Sequence, residues 1–178
     1  SAVCFGGEGP PTSAATEEFT GAGVDIGAWA TGGSMNSPRG NVVTHAGIQT
    51  AALGYGGSDS TTGNVALNEE YNGSTWTEKG DLNTARAVAS GDGTATSALC
   101  FGGYGAGGPW LANNEKWNGT AWAEEADLNT ARRILGGCGT DGESALAFGG
   151  ETPSSTDVDV TEKWNGTSWT EVADLNTA

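Results

Sequence analysis

The feature that most constrains this chain is a set of landmarks that recurs four times along its length. Two adjacent glycines close a short apolar run in every copy, at Gly6-Gly7, Gly56-Gly57, Gly102-Gly103 and Gly149-Gly150. Other landmarks keep the same phase: a Trp (Trp29, Trp76, Trp122, Trp169), a Glu (Glu17, Glu69, Glu115, Glu162) and, in three copies, an Arg (Arg39, Arg86, Arg132). The period of 46 to 50 residues is typical of supersecondary units that bury their apolar faces against one another.

We divide the 178 residues into repeats 1 to 4, approximately 1–38, 39–85, 86–131 and 132–178, within a single domain. Short apolar segments between clusters of Gly, Asn, Asp and Ser predict antiparallel strands and no helix. We name four strands: a after the Arg (41–48, 87–91 and 134–139), b ending in the double glycine, c around the Glu and d around the Trp. Four short strands in such a period predict the blades of a β-propeller.

A second motif, an aromatic residue followed by Asn-Gly, connects strands c and d in repeats 2 to 4. Asn-Gly favours a two-residue hairpin turn, in which both central residues have positive φ. We therefore expect Trp117 to pair with Thr120 and Glu115 with Trp122, so that two aromatic rings lie diagonally on one face and cover the neighbouring repeat. In repeat 1, Thr20-Gly21 replaces Asn-Gly.

The net charge of −15 excludes nucleic acid as an expected partner, because the chain and a phosphate backbone repel each other. No apolar run is long enough to predict membrane insertion. Of the three cysteines, Cys4 and Cys100 occupy a slot held by Gly54 and Ala147 in the other repeats. We expect this slot to need a small buried side chain, and the cysteines to be free thiols.

The double glycine, the Glu two residues before an aromatic, the Trp of strand d and the Arg before strand a together resemble the kelch repeat over essentially the whole chain. The resemblance implies four-stranded blades around a central channel, with strand a innermost. The segment "EKWNGTSWTEVADLNTA" is similar to the repeats of kelch-like proteins of marine phages and environmental bacteria, whose domains are structural or adhesive. A virion or an extracellular surface is the location that this likeness implies.

Strands b, c and d occur four times in the sequence, whereas strand a occurs three times. Two interpretations stay open: a four-bladed ring that lacks one channel-lining strand, or a segment of a larger ring. An open strand edge also predicts an assembly in which another copy or another chain supplies a partner.

Catalytic and cofactor sites are not predicted. His45, the single histidine, cannot provide an imidazole-based copper or zinc site, and no nucleophile motif surrounds it. The repeated acids Glu17, Glu69, Glu115 and Glu162 suit a glycosidase, but they belong to different repeats, so we expect structural hydrogen bonds from the Arg or Trp landmarks instead. The alternative is a fragment of a carbohydrate-active enzyme whose catalytic residues lie in further blades.

The segments between strands b and c differ among the repeats while their flanks stay constant, and variable loops on a fixed scaffold are typical recognition sites. Candidate binding residues in these loops are Tyr104, Trp110, Asp59, Asp157 and Asp159. The alternative for Trp110 is that its ring folds back over its own repeat, and the acidic run "TDVDVTE" is a weak calcium candidate without the spacing of an EF-hand. The sequence thus favours a non-enzymatic structural or interaction module that recognises a protein or a glycan.

Overall fold

The structure, a computed structural model, describes residues 2–5, 12–20 and 28–177. Throughout these ranges the chain forms strands, turns and loops, and none of the described residues is helical. The prediction of an all-β chain is therefore confirmed. Within the same ranges no helix has the length and hydropathy needed to cross a membrane.

The strands are short and follow the predicted order within each repeat. Repeat 1 contains β1 (Ala2–Phe5), β2 (Thr16–Thr20) and β3 (Ala28–Thr31). Repeat 2 contains β4 (Val43–Ile48), β5 (Ala51–Tyr55), β6 (Ser58–Asp59), β7 (Gly63–Asn64), β8 (Asn68–Tyr71) and β9 (Trp76–Glu78). Repeat 3 contains β10 (Arg86–Ala87), β11 (Ser90–Thr94), β12 (Ser97–Phe101), β13 (Tyr104–Gly105), β14 (Asn114–Trp117) and β15 (Trp122–Glu125). Repeat 4 contains β16 (Gly136–Asp141), β17 (Ser144–Phe148), β18 (Thr161–Trp164) and β19 (Trp169–Glu171).

The long strands of each repeat pair antiparallel with their sequence neighbours. Repeat 1 forms the sheet β1-β2-β3, and repeat 4 forms β16-β17-β18-β19. Repeats 2 and 3 share a curled eight-stranded sheet of order β15-β14-β12-β11-β4-β5-β8-β9, in which β11 and β4 pair in parallel at Gly93 and Ala46. Because β16 also packs beside β11, the a strands of repeats 2, 3 and 4 lie next to one another.

The described core is divided among the junctions between successive repeats. One cluster joins Phe5 of repeat 1 to Tyr71 and Trp76 of repeat 2. Equivalent clusters join repeats 2 and 3, around Tyr55 and Trp122, and repeats 3 and 4, around Phe101 and Trp169. Each junction is therefore an apolar face of one repeat packed on the next, and burial of this area is what holds the repeats together.

The small slot predicted from the cysteines lies at these junctions. Cys100 and Ala147 are fully buried, and a Cβ atom on Gly54 would lie 2.8 Å from the Phe5 ring. The neighbouring aromatic ring thus limits the side chain that this position accepts. Strand β1 contains Cys4, whose side chain lies outside the part of the structure that is described.

The predicted hairpin register is wrong by two residues. Trp117 pairs directly with Trp122, not with Thr120, and their ring centroids are 5.5 Å apart. The reason is that Asn118 keeps a negative φ and accepts hydrogen bonds through Oδ1 from the backbone N–H groups of Thr120 and Ala121, at 2.9 and 3.0 Å. This Asx turn closes a four-residue loop instead of the two-residue turn.

A strained turn follows the Arg landmark in repeats 2, 3 and 4. Asn41, Val88 and Ile134 have φ values of 51°, 47° and 55°, in the left-handed region that β-branched residues rarely occupy. The turn directs the chain into strand a, and the backbone N–H of Ile134 donates to Val88 O of the preceding repeat at 2.9 Å. In repeat 2 a register shift between Val43 and Ala46 follows the turn.

Candidate binding surface

The Arg and Glu landmarks form one buried ion pair in each of repeats 2, 3 and 4. The guanidinium-to-carboxylate distances are 2.9 Å for Arg39–Glu69, 2.6 Å for Arg86–Glu115 and 2.7 Å for Arg132–Glu162. None of these six side chains is more than 2% exposed. Burial lowers the pKa of Arg39, and the charge of Glu69 partly offsets this effect.

Backbone groups supply further hydrogen bonds to each pair. In repeat 3, Arg86 Nη1 donates to the carbonyls of Gly102 and Asn113 at 3.2 and 2.8 Å. Glu115 accepts from the backbone N–H groups of Asn83 and Thr84 at 2.7 and 3.1 Å. The pair thus ties strand c to the segment that connects two repeats, which is a structural role.

Two of the predicted structural residues in repeat 1 differ from this pattern. Glu17 is exposed, and no arginine of the described ranges pairs with it. Every arginine in the described ranges pairs with a Glu of its own repeat, which leaves none for Glu17. Trp29 belongs to β3, but its side chain lies outside the described part. The indole N–H of Trp76, which we expected near a Glu, donates to Thr16 Oγ1 at 2.9 Å.

Two of the candidate binding residues come together in the loop between strands b and c of repeat 3. Tyr104 and Trp110 form a β-bridge, and their rings meet edge to face with centroids 5.1 Å apart. Asn64 of repeat 2 donates to the carbonyl of Tyr104 at 2.7 Å. Both aromatic side chains are half-buried, so the loop is a fixed platform that still reaches solvent.

Arg133 and Glu151 of repeat 4 complete this platform, and sequence analysis missed both. The guanidinium carbon of Arg133 lies 4.6 Å from the Trp110 ring centroid and 5.2 Å from that of Tyr104. Arg133 Nε donates to Glu151 Oε2 at 2.7 Å, which lowers the pKa of Glu151 and raises the pKa of Arg133. One signal was available: the second Arg of "ARR" has no counterpart in the other repeats.

Asp59 lies in a turn of its own. Its carboxylate accepts hydrogen bonds from Thr61 N at 2.7 Å, from Thr62 Oγ1 at 2.6 Å and from Thr62 N. The bond from the Thr62 hydroxyl is the main reason that the pKa of Asp59 falls to about 2. The side chain lines a groove of about 340 Å³ with Thr12 and Pro38, but its oxygens already serve the turn.

Asp157 and Asp159 lie in the loop between strands b and c of repeat 4. Asp157 is exposed, bridges Glu151 through the backbone, and borders a groove of about 330 Å³. Asp159 is half-buried, and its carbonyl accepts from Leu175 N at 2.9 Å. In the described ranges no three His, Cys, Asp or Glu side chains are close enough to hold a metal ion. The side chain of His45 lies outside those described.

Comparison with known proteins gives a likeness of fold. No family model matches the chain, and no curated protein matches it. A solved structure titled "Structure of YjhT" superposes on 93% of this chain with a TM-score of 0.76 at 12% sequence identity. This chain spans 60% of the length of that protein. At such identity the likeness concerns the fold alone and gives no information about the platform residues.

Proposed function

We propose that the four repeats are part of a kelch-type β-propeller, with strands a around a central axis and each repeat as one blade. The parallel pairing of β4 with β11 and the packing of β16 beside β11 support this arrangement. The repeated buried junctions and the likeness to YjhT support it as well.

We further propose that the chain is a non-enzymatic binding module whose contact surface is the platform of Tyr104, Trp110, Arg133 and Glu151. The observation that carries this proposal is the convergence of these side chains from two repeats, three of them in the variable loops between strands b and c. Such loops on a rigid scaffold are where recognition residues concentrate. The proposal extends to a structural or adhesive role on a virion or a cell surface, which rests on the sequence resemblance alone.

Of the two partner classes that the sequence suggests, the platform favours a protein. Trp, Tyr and Arg are the residues enriched at the energetic centres of protein–protein interfaces. A sugar ring needs an open aromatic face, whereas the guanidinium of Arg133 already lies 4.6 Å from the centroid of Trp110. The net charge of −15 further favours a neutral or basic partner surface.

The engagement of the buried carboxylates also supports a non-enzymatic role. A glycosidase needs two carboxyl groups that converge on one bond. Glu69, Glu115 and Glu162 each belong to a separate repeat and each accept bonds from an Arg and from backbone N–H groups. An enzyme whose catalytic groups lie in further blades stays the alternative proposal.

The test is a selection for partners with matched variants. The immobilised chain is screened against displayed peptides and against an array of glycans, and each binder is then titrated by calorimetry. We expect a peptide or protein whose affinity falls roughly tenfold or more with Trp110→Ala and is unchanged with Val172→Ala, which lies elsewhere on the surface. Binders unaffected by Trp110→Ala, or binders among the glycans alone, would contradict the proposal.

A further inference from the structure

An apolar groove lies where strands a and b of repeats 2 and 3 turn into one another. Its volume is about 390 Å³, which is within the range of ligand pockets in proteins. Repeat 2 contributes Ile48 and Ala51, repeat 3 contributes Ala95 and the threonines on either side of it, and repeat 4 contributes Thr140. The lining consists of apolar residues, glycines and threonines, so the groove itself carries no charge.

The exposure of Ile48 distinguishes this groove from the rest of the junction. The side chain of Ile48 is 68% exposed, whereas Ala46, two residues earlier on β4, is 1% exposed. Alternate residues of a strand share a face, and Ala46 belongs to the core cluster that joins repeats 2 and 3. Ile48 therefore faces repeat 3. Both repeats of this junction are described, so the side chain stays exposed at a junction that already has its two partners.

The turn between strands a and b does not itself require an isoleucine. The residue that ends strand a is Ile48 in repeat 2, Thr94 in repeat 3 and Asp141 in repeat 4, and each pairs with the first residue of strand b. Two equivalent turns thus place a polar side chain where repeat 2 places a large apolar one. Together with Ala51 and Ala95, Ile48 forms one apolar patch, and such a patch with a polar rim is typical of an interaction site.

The charged residues around the groove are mainly carboxylates. Asp92 and Asp141 are each adjacent in sequence to a lining residue. On the side of repeat 2, Gln49 follows Ile48 and donates a hydrogen bond to Glu18 Oε2 at 3.2 Å. An apolar lining with an acidic rim, on a chain of net charge −15, is complementary to basic side chains around an apolar one.

We propose that the groove binds a basic peptide segment of a partner protein. One apolar side chain of this segment packs against Ile48 and Ala95, and flanking lysines or arginines face the carboxylates of the rim. Lys116 lies near the turn of repeat 4, but its ammonium group is paired with Glu143, so it does little to repel such a segment. Nucleic acids and anionic membranes do not suit an acidic rim.

This site is distinct from the platform of Tyr104 and Trp110. Strand β12 begins at Ser97, next to the groove, and ends at Phe101, shortly before Tyr104. A strand of this length spans roughly 15 Å, so the groove and the platform lie at opposite ends of the repeats. The inference therefore goes beyond the proposed function and does not depend on it.

The first experiment selects displayed random peptides on a chain that carries Trp110→Ala, so that binders of the platform are absent. We expect the strongest binders to have lysines or arginines around one large apolar residue. The best binder is synthesised and added to the unmodified chain, labelled at the methyl groups of its isoleucines, Ile26, Ile48 and Ile134. The methyl resonance of Ile48 should shift, while that of Ile134, which does not line the groove, should stay in place.

The second experiment measures the affinity of the same peptide for matched variants. Ile48→Thr, which copies the residue of repeat 3, should weaken binding roughly tenfold. Ile134→Thr is the control, at an isoleucine that is 65% exposed, and should leave the affinity unchanged. Asp141→Asn should weaken binding and make it less sensitive to salt, because salt screens the attraction between opposite charges. Circular dichroism and a thermal melt establish that each variant is folded.

The proposal is overturned by a selection that yields no binder or only binders without basic residues, by a titration that leaves the Ile48 resonance in place, or by equal affinities for Ile48→Thr and Ile134→Thr. It is supported when the peptide shifts the Ile48 resonance and loses affinity both with Ile48→Thr and when glutamates replace its basic residues. Because the selection uses Trp110→Ala, a failure of the platform as a binding site leaves these outcomes unaffected.

Discussion

Arg86 donates a hydrogen bond to Glu115 across 2.6 Å, and neither side chain is accessible to solvent. The same ion pair occurs in repeats 2 and 4. A buried pair of this kind contributes little net stability compared with apolar residues, but the loss of one partner leaves an unpaired charge in the core. The pairs therefore act by fixing one geometry of the connection between repeats.

Replacement of Arg86 tests this role. We expect Arg86→Met to lower the free energy of unfolding by about 3–5 kcal/mol, because Glu115 is left buried without its counter-charge. The double variant Arg86→Met with Glu115→Leu should lose less free energy of unfolding than the two single variants lose in sum. Arg133→Met, at a pair that is partly exposed, should cost at most about 1 kcal/mol. Urea denaturation measures all of these, and equal costs for Arg86→Met and Arg133→Met would refute the structural role.

Thiol labelling tests the burial of the small slot. Cys138 is exposed, whereas Cys100 is fully buried and its burial raises its pKa to about 12. Since the thiolate is the reactive form, we expect, in a Cys4→Ala background, one thiol that a disulfide reagent modifies at once and one that reacts only when the chain unfolds. Similar rates for both thiols in the folded protein would contradict the described core.

The Asp59 turn predicts a pH dependence of stability. The pKa of Asp59 is about 2 in the folded chain, against an ordinary value of 3.8. The contribution of this carboxylate is thus complete above the ordinary value and is lost as the pH falls through about 2. The difference in free energy of unfolding between the unmodified chain and Asp59→Asn should therefore shrink as the pH falls from 3.8 to about 2. Thr62→Val, which removes the main hydroxyl donor, should move the titration of Asp59 back toward its ordinary value.

Ile134 tests the strain of the turn before strand a. Its φ of 55° is unfavourable for a β-branched residue, and the equivalent residue of repeat 2 is Asn41. We expect Ile134→Asn to raise the free energy of unfolding by about 1 kcal/mol, because Asn tolerates this region. Ile48→Asn is the control, at an equally exposed isoleucine without a positive φ. A loss of stability as large as that of Ile48→Asn would show that the turn is not strained.

Asn118 tests the loop that replaced the predicted hairpin turn. Asn118→Ala removes the acceptor of two backbone N–H groups, and we expect a loss of about 1 kcal/mol. Asn118→Asp keeps an acceptor oxygen in the same place and should retain most of the stability that Asn118→Ala loses. If Asp and Ala have equal effects in thermal unfolding, the Asx turn does not stabilise the hairpin.

The all-β fold was accessible from the sequence because each landmark has one local reason. Double glycines mark the positive φ values of Gly102 and Gly103, and the strand-d Trp residues mark a junction that recurs. The hairpin register was not accessible, since Asn118 can either adopt a positive φ or accept hydrogen bonds through its side chain, and both options use the same residue type.

Tertiary packing explains what the sequence missed at the candidate site. Arg133 and Glu151 are 18 residues apart, and Arg133 packs over Trp110 of another repeat, an arrangement that no local pattern indicates. Glu17 is exposed, and the arginines of the described ranges are each engaged by a Glu of their own repeat. The variable loops stay candidates, but Asp59 uses its carboxylate within its own turn.

The most direct test of the central claim, that each repeat is held to the preceding one by its strand-d Trp, is a double-mutant cycle on Phe101 and Trp169. Their rings lie 4.9 Å apart across the junction of repeats 3 and 4. We predict a coupling free energy of about 0.5–1.5 kcal/mol between Phe101→Leu and Trp169→Leu. The same cycle on Phe101 and Trp76, which belong to different junctions, should give a coupling near zero. A coupling for Phe101 and Trp169 no larger than that control value would contradict the account.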